Sequence, residues 1–212
     1  MDFSLETALL AIVPVVFAIV LHEAAHGYVA RIFGDQTAWM LGRVTLNPIK
    51  HIDLIGTIAV PGVLLLTGAP FLFGWAKPVP VNFGNLRHPK RDMIWVAAAG
   101  PGANFVMALL WAVVAQLAAP SGMLTSVGLY QMAQIGISIN LVLMVLNLLP
   151  IPPLDGGRIA VGLLPDRAAG ALARLEPYGF IVILVLLVTG LLGDLMRPIL
   201  RVAAFLLYAI TG

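Results

Sequence analysis

Residues 93–119 and 127–149 of this 212-residue chain contain no Asp, Glu, Lys or Arg, and within 5–33 the run from Ala8 to Leu21 is also uncharged. About 20 apolar residues in a helix cover the hydrocarbon thickness of a bilayer. Lipid offers the backbone no hydrogen-bond partner, so a spanning segment must satisfy its own N–H and C=O groups as a helix or a closed barrel. Runs of this length without alternation leave the helix. The chain is therefore expected to fold as an all-α polytopic membrane bundle. The composition agrees: 60% of residues are hydrophobic and 10% charged, where soluble domains carry about 25% charged residues.

Two further apolar segments, 178–192 and 195–210, bring the expected total to five or six with 54–73. That last segment is interrupted by Gly56, Pro61, Gly62, Gly68 and Pro70, which favours a kinked or re-entrant path over a straight span. Residues 37–47 ("TAWMLGRVTLN") and 76–82 ("AKPVPVN") read as strands of a small sheet at the membrane surface, with Pro78 and Pro80 confining the second to an edge. Such an edge could receive an extended peptide. We expect one integral-membrane domain over 1–212, with a core at about 5–158 and C-terminal apolar segments at 178–210.

Several classes of function are excluded or disfavoured. The chain has no cysteine, so it has neither a disulfide framework nor a Cys-ligated zinc or iron–sulfur site. A net charge of +2, dispersed along the chain, does not suit nucleic acid but suits loops that meet anionic lipid head groups. The first residues carry Asp2 and Glu6 and no basic cluster, so the first apolar segment is expected to stay with the protein rather than be cleaved as a signal peptide.

Against this background the stretch His22-Glu23-Ala24-Ala25-His26 stands out. Ionisable groups inside a membrane segment are costly and demand a partner. Residues four apart lie on nearly the same face of a helix, so both imidazoles can grip one metal ion. Neutral imidazole suits Zn²⁺, and a catalytic zinc site has three protein ligands and one open position. Glu23, beside the pair, is placed to take a proton from a metal-bound water. The competing role for the histidines is hydrogen bonding between helices.

A third ligand is needed, and Asp155 is the strongest candidate. It ends a long apolar run within "NLLPIPPLDGGRI". Pro150, Pro152 and Pro153 stop the preceding helix, and Gly156 and Gly157 permit a tight turn after the carboxylate. The competing role for Asp155 is to cap a following helical piece, 158–164. His51 and His88 sit in basic loops and are expected to meet solvent or head groups.

"HEAAH", "GPGAN" and "NLLPIPPLDGG", in this order in a small hydrophobic chain, resemble the site-2 protease family of intramembrane zinc metalloproteases. "GRVTLNPIKHID" and "GWAKPVPVN" resemble a compact subgroup of that family, without the PDZ or CBS domains of many relatives. The likeness runs from about Ala18 to Arg158. It implies one Zn²⁺ per chain held by His22, His26 and Asp155, with Glu23 as catalytic base. It also implies transmembrane protein substrates cut within or near the bilayer, and residence in a prokaryotic plasma membrane. Asn147 and Asn104 match two asparagines of the family and are candidates for positioning substrate. Asn147 could equally bond between helices, and Asn104 could serve a close, kinked helix crossing at Gly100, Pro101 and Gly102.

Other readings of the same residues are a catalytically idle zinc-binding scaffold and a metal or proton transporter. A transporter should show repeated halves and acidic residues in several spans, whereas the ionisable groups here gather at one end.

One ion shared by His26 and Asp155 demands that both lie at one membrane depth, hence an even number of crossings between them. Segments 93–119 and 127–149 supply two, so 54–73 should re-enter rather than cross. Arg31, Arg43, Lys50, Lys77, Arg87, Lys90 and Arg91 would then share the cytoplasmic side, with the site toward that face.

Overall fold

A computed structural model describes residues 5–67 and 74–211. The elements in chain order are α1 (Leu5–Ile32), α2 (Thr37–Met40), α3 (Val60–Leu66), α4 (Pro89–Ala118), α5 (Val127–Asn147), α6 (Asp155–Leu163), α7 (Asp166–Ala173), α8 (Glu176–Val188) and α9 (Leu191–Thr211). The helices α1, α4 and α5 are each long and apolar enough to cross a membrane. The protein is an integral membrane protein with an all-α core.

Close packing of that core follows from small residues placed at helical spacing. On α4 the buried face carries Ala97, Gly100, Asn104, Ala108, Ala112 and Ala115. On α5 it carries Ala133, Gly136, Ile137, Asn140, Leu141 and Val145. The glycines and alanines of these faces let helix backbones approach, which is how helices associate when lipid removes the hydrophobic drive. Gly136 shows the tightness: a Cβ there would lie 2.5 Å from the Trp111 ring of α4. Leu192, Met196, Ala203 and Leu207 of α9 close the same apolar cluster.

The expected five or six apolar segments are not all realised. Beyond the three long helices, α7 and α8 pass the same length and hydropathy test only as one span bent by 64°. Alone, α8 has 13 residues, about 20 Å of helix, which is short of a crossing. The last helix, α9, carries Asp194, Arg197 and Arg201 within its length, too many charges for a plain lipid-facing span.

The small sheet is also absent: the described residues contain no strand. Thr37–Met40 forms a helical turn instead. Its geometry is set by Asp35, a buried carboxylate that accepts from the Thr37 N–H and hydroxyl, the Asn82 N–H and the Asn85 side-chain amide. Residues 76–82 form no strand. Pro78 and Pro80 have no N–H, while the Lys77 N–H is spent on His51 O and the Val79 N–H on Glu23. A strand whose donors are so committed cannot extend a sheet there.

Residues 54–67 contain no helix long enough to cross a membrane. The apolar helix Leu54–Leu64 is too short to span. The Trp75 N–H bonds to Gly56 O at 3.1 Å, and the Thr57 hydroxyl bonds to Trp75 O at 2.9 Å. The two ends of the segment therefore meet, as a re-entrant hairpin requires; residues 68–73 of the expected segment lie outside the described residues. His51, expected at a solvated surface, is instead buried and bonds Thr45 O through Nε2.

Candidate metal centre

His22 and His26 occupy consecutive turns of α1 and present their rings to one point. Asp155 arrives as the first residue of α6, delivered by the irregular turn 148–154 that follows α5. The Nε2 atoms of the two histidines lie 3.1 Å apart, and Asp155 Oδ2 lies 3.3 Å from each. Asp155 does not cap a helix: the cap position belongs to Leu154, and α6 starts at the aspartate itself. Gly156 and Gly157 lie within that helix and make no glycine-specific turn. They allow close packing, because a Cβ on Gly156 would lie 2.2 Å from Leu148 O and one on Gly157 2.4 Å from Pro152 N.

What holds the imidazoles is the turn around the "GPGAN" sequence on α4. Gly100 faces the pair directly: a Cβ there would sit 2.3 Å from His26 Nε2 and 2.6 Å from His22 Nε2. Pro101, inside α4, withdraws one N–H from the helix ladder at this level. Nearby, Val96 O accepts the His26 Nδ1–H at 2.7 Å. Asn104 Oδ1 accepts the His22 Nδ1–H at 2.6 Å. Asn104 itself is fully buried, and its side-chain amide donates to Ala18 O and to Asn140 Oδ1. Asn147 points elsewhere and donates to Leu143 O, one turn back on its own helix.

These bonds place a hydrogen on Nδ1 of each ring. Both Nδ1 atoms face acceptors, so both are donors, and each Nε2 of a neutral ring is left with a bare lone pair. Two lone pairs then face each other at 3.1 Å beside a buried carboxylate oxygen that has no hydrogen-bond partner. Acceptors without a donor among them repel and are costly to bury. A single cation relieves all three at once. The donor set of two imidazoles and one carboxylate suits Zn²⁺, and the three ligand atoms lie within 4.8 Å of one another. The arrangement fits a metal ion.

Glu23 stands half-buried next to the first histidine, outside this triangle. Its Oε2 accepts the Val79 N–H at 2.7 Å, which ties the segment 76–82 to the residue beside the metal ligands. Gly27 makes this approach possible, since a Cβ there would lie 3.0 Å from the Val79 side chain and 2.7 Å from that of Val44.

Sequence comparison agrees with this picture. The model of peptidase family M50 matches residues 113–190, a stretch that contains Asp155. A Bacillus subtilis protein named "Putative zinc metalloprotease YwhC" is 42% identical over 194 residues, covering 90% of this chain and 85% of that protein. The chain belongs to peptidase family M50. Rip2 of Mycolicibacterium smegmatis, named in the same words, is 33% identical to this M50 protein over 175 residues, covering 82% of this chain and 64% of Rip2. MJ0611 of Methanocaldococcus jannaschii, again so named, is 27% identical over 161 residues. No solved structure matches the chain.

Sequence reasoning reached His22, Glu23, His26 and Asp155 but not their supports. Gly100 was visible within its motif only as a packing glycine, whereas Val96 O and Asn140 carried no signal. A backbone carbonyl has no sequence signature, and Asn140 is one polar residue in an apolar helix. The polar position itself, in a segment where polar groups are costly, is the clue that could have found it.

Proposed function

We propose that this M50 protein is a zinc-dependent intramembrane endopeptidase that hydrolyses peptide bonds in the transmembrane segments of membrane-protein substrates. The observation that carries the reading is the meeting of three buried acceptor atoms, from His22, His26 and Asp155, with Glu23 alongside. His22 and His26 would hold the metal through Nε2, and Asp155 through Oδ2. Zinc so held, with an open position, lowers the pKa of water and polarises a carbonyl as a Lewis acid.

The remaining chemistry belongs to the chain. Glu23 takes the proton of the attacking water through the oxygen not engaged by Val79, and returns it to the departing amine. The Val79 N–H holds the carboxylate in one orientation while this happens. The substrate helix unwinds locally, because a helical peptide bond is shielded by its own hydrogen bonds. Asn147, half-buried at the end of α5, is left as the asparagine that could meet the substrate backbone or the developing oxyanion. The site lies toward the cytoplasmic face of a prokaryotic plasma membrane, where the basic loop residues 31–91 collect. The chain lacks cysteine, so single cysteines introduced at 50 and 122 report sidedness directly by labelling of intact cells.

The test is cleavage of a model transmembrane peptide by purified protein in detergent, comparing wild type with Glu23→Gln. We expect about one zinc per chain in both and cutting by wild type alone. Zinc in neither would overturn the proposal, and equal cutting by both would remove Glu23 from the mechanism.

A further inference from the structure

Asn104 and Asn140 lie between the candidate metal ligand His22 and the backbone of α5, and both are fully buried. Their hydrogen bonds form one string with a defined direction. Gly136 O, a backbone carbonyl, can only accept, and it receives Asn140 Nδ2–H at 2.8 Å. That turns Asn140 Oδ1 toward Asn104, which must answer with a donor and does so through Nδ2 at 2.9 Å. The second Nδ2 hydrogen of Asn104 goes to Ala18 O at 3.1 Å. Asn104 Oδ1 is therefore the only atom left for His22, and it requires a hydrogen on Nδ1. The lone pair then falls on Nε2, the atom that faces Asp155 and His26.

We propose that Asn140 is a positioning residue for the metal centre: through Asn104 it sets the tautomer and ring orientation of His22. This assigns Asn104 to the ligand rather than to substrate, since burial and three hydrogen bonds leave it nothing to offer a peptide. Outer partners that fix a ligand histidine typically change metal affinity or activity about 10- to 100-fold when removed. The two asparagines come from different spans, α4 and α5, while His22 is on α1. The string thus ties the ligand's chemistry to the correct assembly of all three long helices.

This inference rests on His22 binding zinc, and the experiment separates the two. Zinc affinity is measured by competition with a chromophoric chelator for wild type, Asn140→Leu, Asn104→Leu, their double variant and Asn104→Asp, with the Co²⁺ absorption spectrum recorded for each. Asn140→Leu and Asn104→Leu should each weaken zinc about 10- to 100-fold. The double variant should be no weaker than Asn104→Leu, because both substitutions cut one string. Asn104→Asp keeps an acceptor for His22 Nδ1–H but offers no amide donor to Asn140 Oδ1 or Ala18 O, so its zinc affinity should fall between wild type and Asn104→Leu. Wild-type affinity in Asn140→Leu, or losses that add in the double variant, would overturn the proposal. If Asn140→Leu does not fold, Asn104→Asp decides, because it cuts the string at Asn140 while keeping the acceptor for His22: affinity and spectrum equal to wild type there would overturn the proposal. No zinc in wild type would instead sink the metal reading itself.

Discussion

The metal triangle and the segment that holds Glu23 are built on opposite principles. Around His22, His26 and Asp155, every support is a helix face or a buried polar atom: Gly100 of α4 against the rings, Val96 O and Asn104 Oδ1 on the Nδ1 atoms, Asn140 behind them. The segment from Asp35 to Asn85 instead has a short helix, a hairpin and a strap that forms no strand, joined by side-chain-to-backbone bonds at Asp35, Arg43 and Asp53. Many of its large apolar residues are exposed, including Met40, Leu41, Ile49 and Leu54. The triangle would hold the metal, and the strap, through Val79, would hold the base. Ligands need fixed geometry, whereas a segment that leaves its large apolar residues exposed is drawn from the less stable end of a fold.

Substitutions at two glycines should break this comparison most sharply. Gly100→Val drives a side chain into both imidazoles, so zinc should fall to a small fraction of one per chain and activity with it, as read by metal analysis. Gly27→Val presses instead on Val44 and Val79; zinc should be retained while peptide cleavage drops about 10-fold or more as Glu23 loses its backbone donor. Equal zinc loss in both would show that ligands and strap are one unit. Between these, Glu23→Gln should leave zinc in place and reduce cleavage by about 10²–10⁴-fold, the scale of a general base.

A smaller effect is expected at Asp35. Burial would raise its carboxyl, but hydrogen bonds from Thr37, Asn82 and Asn85 outweigh this and hold it below the usual carboxylate range. Its folded-state value is depressed, so its stabilisation is present above the unfolded value and is lost as pH falls through the folded one. Tryptic cutting at Arg87 should therefore stay slow down to mildly acidic pH in the wild type. Asp35→Asn should be cut several-fold faster at neutral pH. An unchanged rate in the variant would remove Asp35 as the anchor of 82–85.

The same contrast explains what was legible in the sequence. Long uncharged runs dictate helices, and the i, i+4 spacing of His22 and His26 dictates a shared face. Asp155, from another element, is the strongest candidate to join them, and equal membrane depth for the three ligands leads to the expectation of a re-entrant 54–73. The strap region resisted because its conformation depends on partners remote in sequence. Thr37–Met40 has strand-like composition, yet Asp35, with Asn82 and Asn85 across from it, stabilises a helical turn there. Likewise, Asn104 could be read as packing or as function until the phase of α5 placed Asn140 behind it.

The most direct test of the central claim is zinc analysis with X-ray absorption at the zinc edge on the purified protein, repeated for Asp155→Ala. The account predicts about one zinc per chain, with two imidazoles and oxygen ligands at about 2.0–2.2 Å, and loss of most of that zinc in the variant. A wild type without zinc, or a zinc environment unchanged by Asp155→Ala, would contradict it.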